Sequence, residues 1–464
     1  VAWLTLDNLT GEPALDWLRQ AVPTMAASQI AGLDRWHPFR ADTTGDAVLG
    51  GAQTAVHGFY ERRAGKLRFT FAIEDLTTHR MRTVTAEDGA LDAAMAAARA
   101  VEPKARDFGS SNPAAIEAWG RQDFAAAVAA DPDFGLAWRD WIQQQATSAP
   151  AEAAALARRA LARPNLRSPL DRAQIQLLAA GLSGDRAAEV RAGRELLRLV
   201  PNDTALARQV AELATRSRLH ADAAAIYEAL TRLEPEEASH WNQLGYARFF
   251  AGDLRAARTA LEHYTAMPGQ AANGLDSQGE ILFMAGQFGE AEQLFLKSHA
   301  ANPEFLGGAG LLKAAYARWL AGDLPGADGL FEQYVKFRLE NKDNMIEWRR
   351  ASWEYATGRR EAAIARLRRA SGAAAQLAAS QLMVWEKAEA LAGDLSALER
   401  AYQQAVPPAD GLARTLYARA LLRAGRRAEA VALVEPWPLP ESGDPLLQSL
   451  LYPWYRELRQ QSGK

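Results

Sequence analysis

At 464 residues, 48% hydrophobic and 23% charged, the chain has the balance of a folded polypeptide with ample core and room for two or three domains. A net charge of −3 and a pI near 6.3 provide no basic field to draw it to nucleic acid or an anionic membrane. It has no cysteine, which excludes disulfides, thiolate metal sites and cysteine nucleophiles, and no run of 18 apolar residues to span a membrane.

The chain opens at Val1 directly inside a predicted strand, a start that reads as a cut. A signal peptide, a membrane anchor or an effector domain is expected upstream. Val1 to Leu6 form the strand, Asp7 to Gly11 a turn, and Pro13 opens a helix whose apolar positions are Leu15, Leu18, Val22, Met25 and Ile30, stopping at Gly32. A second strand is placed within Arg35 to Ala41. A three-strand meander follows, with Val56, Gly58 and Tyr60 alternating against Leu67, Phe69, Phe71 and Ile73 across an Ala-Gly-Lys turn. An alanine-rich helix, Ala90 to Val101, ends at Pro103. The order β-α-β-β-β-β-α defines a small α/β domain over residues 1–105, its sheet packed on two helices.

Residues 106–183 are transitional: Ser111 to Trp138 read as a truncated first repeat with a turn at Gly120, and helices over 133–147, 150–163 and 169–183 follow. Beyond them a pattern recurs. Turn glycines fall at 252, 286, 322, 358, 393 and 425, separated by 34, 36, 36, 35 and 32 residues; 34-residue steps backwards reach Arg218 and Gly184. Seven residues before the turn stand small residues (Ala211, Gly245, Gly279, Ala315, Ala351, Ala418), and five after it alanines (Ala223, Ala257, Ala291, Ala327, Ala363, Ala430). Nine after it stand large residues such as Tyr227, Leu261, Phe295 and Phe331, expected to fill the groove between neighbouring repeats. Pro201, Pro235, Pro268 and Pro303 close the second helices. Such a period predicts stacked helix pairs, eight to ten in all. Glu435 to Pro445 is too proline-rich for helix and precedes a last amphipathic helix, Leu446 to Gln460, that would cap the array.

Trp241, Leu244, Gly245, Gly252, Ala257 and Leu261, with Ala285, Gly286, Phe288, Ala291 and Phe295 in the next unit, stand at the spacing of the tetratricopeptide repeat, which residues 106–464 resemble. Arg248 departs from that family's pattern, where an aromatic is usual. The opening strand with Asp7-Asn8-Leu9-Thr10-Gly11-Glu12-Pro13, the following Leu15-Asp16-Trp17-Leu18 and the meander resemble the N-terminal domain of the periplasmic translocation protein TolB. The fold class expected is therefore mainly α: an α-α superhelix of tetratricopeptide type preceded by a small TolB-N-like α/β domain. The two modules together are similar to the C-terminal halves of membrane-anchored serine/threonine kinases, CadC-type winged-helix regulators and nucleotide cyclases. The resemblance implies either a free scaffold or a sensory half whose effector is absent, in a compartment left open, the periplasm slightly favoured.

No phosphate-binding loop, dinucleotide fingerprint, zinc-protease or nucleophile-elbow motif occurs, so no cofactor and no catalytic residue is assigned. His240 and His263 fall on paired helices, but spacing places no third ligand beside them, and packing is the preferred reading. One feature rises above architecture. Three residues before the turn stand Phe249, Phe283, Trp319 and Tyr355, with Asn242, Tyr246, Asn273, Asp276, Glu280, Tyr316, Trp348 and Ser352 on the same predicted concave face. Such a stripe suits gripping a peptide or protein partner; equally, the rings pack on the adjacent helix. The arginines from Arg349 to Arg369 read as a solvated face offset by acids.

Overall fold

The computed structural model describes residues 1–33, 36–87, 89–166, 168–371, 378, 394–404 and 410–434. The turn at Gly393, the proline-rich 435–445 stretch and the expected last helix lie outside them. The chain divides into two compact units, Val1–Glu236 and Glu237–Lys464.

In the first unit, strands β1 (Ala2–Leu4), β2 (Asp7–Asn8), β3 (Phe39–Ala41), β4 (Thr54–Arg63), β5 (Lys66–Asp75) and β6 (Met81–Glu87) form one mixed sheet in the order β3-β1-β4-β5-β6, with β2 also on β4. β1 is parallel to β3 and β4, while the meander is antiparallel. Arg63 pairs with Lys66, so Ala64 and Gly65 form a two-residue hairpin turn, both left-handed at φ 50° and 80°. Helices α1 (Leu18–Ile30) and α3 (Ala90–Val101) cover one face, over Trp3, Val56, Tyr60, Phe69, Phe71 and Ile73. The sheet was expected to meet two helices; a third, α2 (Thr44–Leu49), closes a smaller cluster on the other face with Ala2, Leu4, Ala41 and Ala55. It starts on a reciprocal cap between Thr43 and Asp46. Pro23 lies inside α1 and has no N–H for the Arg19 carbonyl; the Leu6 N–H donates to that carbonyl instead, at 3.0 Å.

Four antiparallel pairs follow: α4 (Pro113–Gly120) with α5 (Phe124–Ala130), α6 (Gly135–Gln145) with α7 (Pro150–Leu161), α8 (Pro169–Ser183) with α9 (Arg186–Leu199), and α10 (Thr204–Arg216) with α11 (His220–Leu233). The sheet and the first pairs share one core, from Trp3 and Met25 through Trp119 and Phe134 to Ile175. The second unit continues with α12 (Ala238–Phe250) and α13 (Leu254–Ala266), α14 (Ala271–Met284) and α15 (Phe288–Ala301), α16 (Ala309–Leu320) and α17 (Leu324–Glu340), α18 (Ile346–Ala356) and α19 (Arg360–Arg368), then α20 (Leu395–Gln404), α21 (Asp410–Arg423) and α22 (Arg427–Val434).

The repeat columns have the physical causes read from them, with two corrections. Gly184, Gly252, Gly286, Gly322, Gly358 and Gly425 all have positive φ, and Arg218 holds the same left-handed turn at φ 57°. In three of these turns the next residue, Asp185, Asp253 or Asp323, caps the second helix by accepting a backbone N–H at 2.9 Å. The first correction concerns Gly120, which is not the turn: Gln122 takes the left-handed backbone at φ 64°, and a Cβ on Gly120 would collide with the Trp17 ring. The second adds to the large column, which does fill the groove to the next pair, as where Phe331 stacks on Trp353 at 4.8 Å, and also packs within its own pair. Leu261 and Phe295 lie over the small residue of their own pair, where a Cβ on Gly245 would meet Leu261 Cγ at 2.5 Å and one on Gly279 would meet Phe295 Cε1 at 2.6 Å. The alanines five after the turn, from Ala223 to Ala363, are fully buried.

Candidate functional site

The predicted face lies on the first helices of the second unit. On α12, Asn242, Tyr246 and Phe249 are half-buried. On α14, Asn273 and Glu280 are half-buried, whereas Asp276 and Phe283 are buried. Tyr316 and Trp319 on α16, and Trp348, Ser352 and Tyr355 on α18, are all buried. Within the aromatic column, Phe283 meets Phe288 and Phe295 at 5.4 and 6.3 Å between ring centroids, and Trp319 meets Trp353 at 6.2 Å. Tyr316 also packs edge-on against Trp353, at 5.3 Å. Those rings fill the core between helices. Only Phe249 keeps partial exposure.

What the fold brings together is polar. Asp276 and Glu280 stand four residues apart on α14 and so project from one side of it. Lys313, on α16, donates to Asp276 Oδ2 and Glu280 Oε1, both at 2.6 Å, and the Tyr246 hydroxyl on α12 donates to Glu280 Oε2. The Phe295 ring backs the ammonium, its centroid 5.6 Å from Nζ. Three successive first helices are thus tied through one cluster.

The electrostatics follow from burial. Asp276 is 4% exposed, and burial pushes its carboxyl up to about 6 against the opposing pull of Lys313, with Glu280 adding to the rise. Burial alone would lower the Lys313 ammonium, but the two carboxylates outweigh it and raise it above its usual range. Burial, then Glu280, holds the Tyr246 phenol well above ordinary tyrosine. Lys313 escaped the sequence reading because it stands nine before its turn glycine, in a column with Gln243, Ser277 and Arg349. A column that does not repeat in residue type announces nothing, although two carboxylates at i, i+4 on an inner helix invite a search for a cation.

The first unit carries a separate hollow. A cleft of about 430 Å³ is lined by Trp36, His37, Arg139, Gln174, Leu206 and Gln209 among others, between the sheet domain and α6, α8 and α10. A second hollow of about 450 Å³ shares Leu206 and Gln209 with it. In the first cleft the charges are already matched: Arg139 donates to Asp140 and to Gln174, and His37 lies 3.7 Å from Asp203.

Among the described residues, no group of three or more His, Asp or Glu side chains could hold a metal ion, and no helix is long and apolar enough to cross a membrane. His240 is buried, and the His263 ring packs on Trp241 at 3.8 Å. The arginine-rich face is paired as read: Arg350 with Glu332, Arg359 with Asp328, Arg366 with Glu347 and Glu354.

These observations define a mainly α protein, a solenoid-like series of helix pairs with a small mixed sheet in its first unit. No known family matches the sequence, and no curated protein does. Solved structures resemble it distantly. Crystalline MamA is 18% identical over 38% of this chain and 94% of that one, with a TM-score of 0.31. The structure of Naa15/Naa10 bound to HypK-THB is 15% identical over 75% of this chain and 66% of that one, at 0.39. The tetratricopeptide domain of P58(IPK) is 14% identical over 74% and 94%, at 0.21.

Proposed function

We propose that the protein is a non-catalytic interaction scaffold that holds a peptide or protein partner against the first helices of its second unit. The observation that supports this reading is the cross-helix cluster of Tyr246, Glu280, Asp276 and Lys313. It fixes half-exposed side chains of α12, α14 and α16 relative to one another before any partner arrives, and such preorganisation lowers the entropic cost of binding. Asn242, Phe249 and Asn273 form the partly exposed remainder of the surface. We read the front sheet as a TolB-N-like domain that orients the array, on the strength of its opening strand, the Asp7 to Pro13 segment that follows it and its meander.

The test is affinity capture from the source cells with the full chain beside Asn242→Ala/Phe249→Ala/Asn273→Ala, a variant that leaves the charged cluster intact. A partner held by the wild type and released by a folded variant is the expected result. Equal capture by both would remove the first-helix surface from the reading.

A further inference from the structure

The cluster on α12, α14 and α16 is incomplete in a specific way. Its donors are aimed elsewhere: the Tyr246 hydroxyl goes to Glu280, and two of the three N–H groups of Lys313 go to Glu280 and to Asp276 Oδ2. Two acceptors remain. Asp276 Oδ1 and Asn242 Oδ1 are both enclosed, and neither has a hydrogen-bond partner. They occupy equivalent places in successive repeats, each ten residues before its turn glycine, Gly252 or Gly286. Asp276 is itself 4% exposed, so bulk water does not satisfy it. A buried acceptor without a donor is costly, the more so when it is charged.

The charge is unbalanced in the same direction. Two carboxylates share one ammonium, and the other described groups that touch it are the Tyr246 phenol from α12 and the apolar Phe295 ring beneath Lys313. A donor at those two acceptors and positive charge are therefore what the cluster lacks, and one kind of group meets both deficits. The rim is open to it, since the side chains of Glu280 and Lys313 are 36% and 25% exposed. An acidic segment would meet a surplus of negative charge.

Resting on the reading of this surface as a binding face, we propose that its partner is a basic peptide segment, whose lysine or arginine side chain enters beside Glu280 and supplies the donors that Asp276 and Asn242 lack. The incoming cation joins Lys313 rather than displacing it, turning two carboxylates and one ammonium into two balanced pairs.

The experiment selects short random peptides on the full chain from a displayed library and measures the selected sequences by fluorescence anisotropy. The expected consensus contains a lysine or arginine, and its replacement by alanine weakens binding about tenfold. Asp276→Asn weakens the same peptides by a similar factor. Asn242→Leu, which changes no charge, weakens them less, and Lys313→Gln moves affinity the other way by freeing both carboxylates. The opposite sign for Lys313→Gln cannot be produced by misfolding. Peptides without a basic residue, or basic peptides that bind wild type and Asp276→Asn equally, overturn the proposal while leaving the scaffold reading intact. Recovery of no binding peptide at all counts against both.

Discussion

Each unit buries one aspartate whose carboxyl is pushed up to about 6 by desolvation, yet the two do different things. Asp171 sits in the first turn of α8, its N–H donating to the Ser168 side chain that caps the helix, wedged where Cβ atoms on Gly135 or Gly109 would meet it at 2.6 and 3.5 Å. It belongs to a helix start, where a negative charge is favoured by the helix dipole. The arginine that most opposes its rise, Arg139, spends its hydrogen bonds on Asp140 and Gln174. Asp276 lies in the middle of α14 with no cap to serve, and its partner comes from another helix. A perturbed carboxyl is thus not in itself a sign of function; what separates these two is whether local helix chemistry already accounts for the residue.

The largest effect that would test this contrast comes from the cations. Lys313→Gln strands two carboxylates and is expected to lower unfolding free energy by roughly 3 kcal/mol, whereas Arg139→Gln, which bonds neither oxygen of Asp171, loses under about 1 kcal/mol on that account. Equal losses in urea denaturation would erase the distinction. Next is the pH dependence of Asp171. Its folded pKa lies above the unfolded value, so its contribution is fully present below about pH 4 and is lost as pH rises through about 6. Asp171→Asn therefore removes a penalty, gaining about 2 kcal/mol at pH 7.5 and nothing at pH 4; a gain that persists at pH 4 would assign the effect to packing. Ser168→Ala should lose about 1 kcal/mol by uncapping α8, while no single cap change touches Asp276. The smallest effect concerns the turns. Arg218→Gly relieves a left-handed backbone and gains up to about 1 kcal/mol, and Gly252→Ala loses about as much, both read as shifts in melting temperature.

The helix pairs were legible because their constraints repeat: a left-handed turn asks for glycine, and close helix contact asks for Gly245, Gly279 or alanine at a fixed distance from it. The turn at Gln122 was not, since nothing in a glutamine advertises positive φ, and the nearby Gly120 offered a false cue that belongs to Trp17. At the candidate site, periodicity placed Tyr246, Asp276 and Glu280 on one face, and the structure joins them. The same periodicity could not say that Phe283, Trp319 and Tyr355 are covered, because burial depends on where residues such as Phe295 and Trp353 of other helices come to rest. Lys313 is bonded to residues 33 and 37 positions earlier, a pairing that no local pattern encodes.

The place of β1 in the sheet has a consequence for how the chain comes into being. Ala2 pairs on one side with Phe39 and on the other with Ala55, so the strand is central although it precedes both neighbours in sequence. On a ribosome, where residues emerge in order, the apolar Val-Ala-Trp-Leu stretch must keep one edge unpaired until β4 has been made. Long-range pairing of this kind slows folding and leaves a sticky segment open meanwhile. The helical pairs behind it need only their immediate neighbours and can zip as they appear. The sheet, though translated before the helical pairs, is the part most in need of a chaperone's shelter.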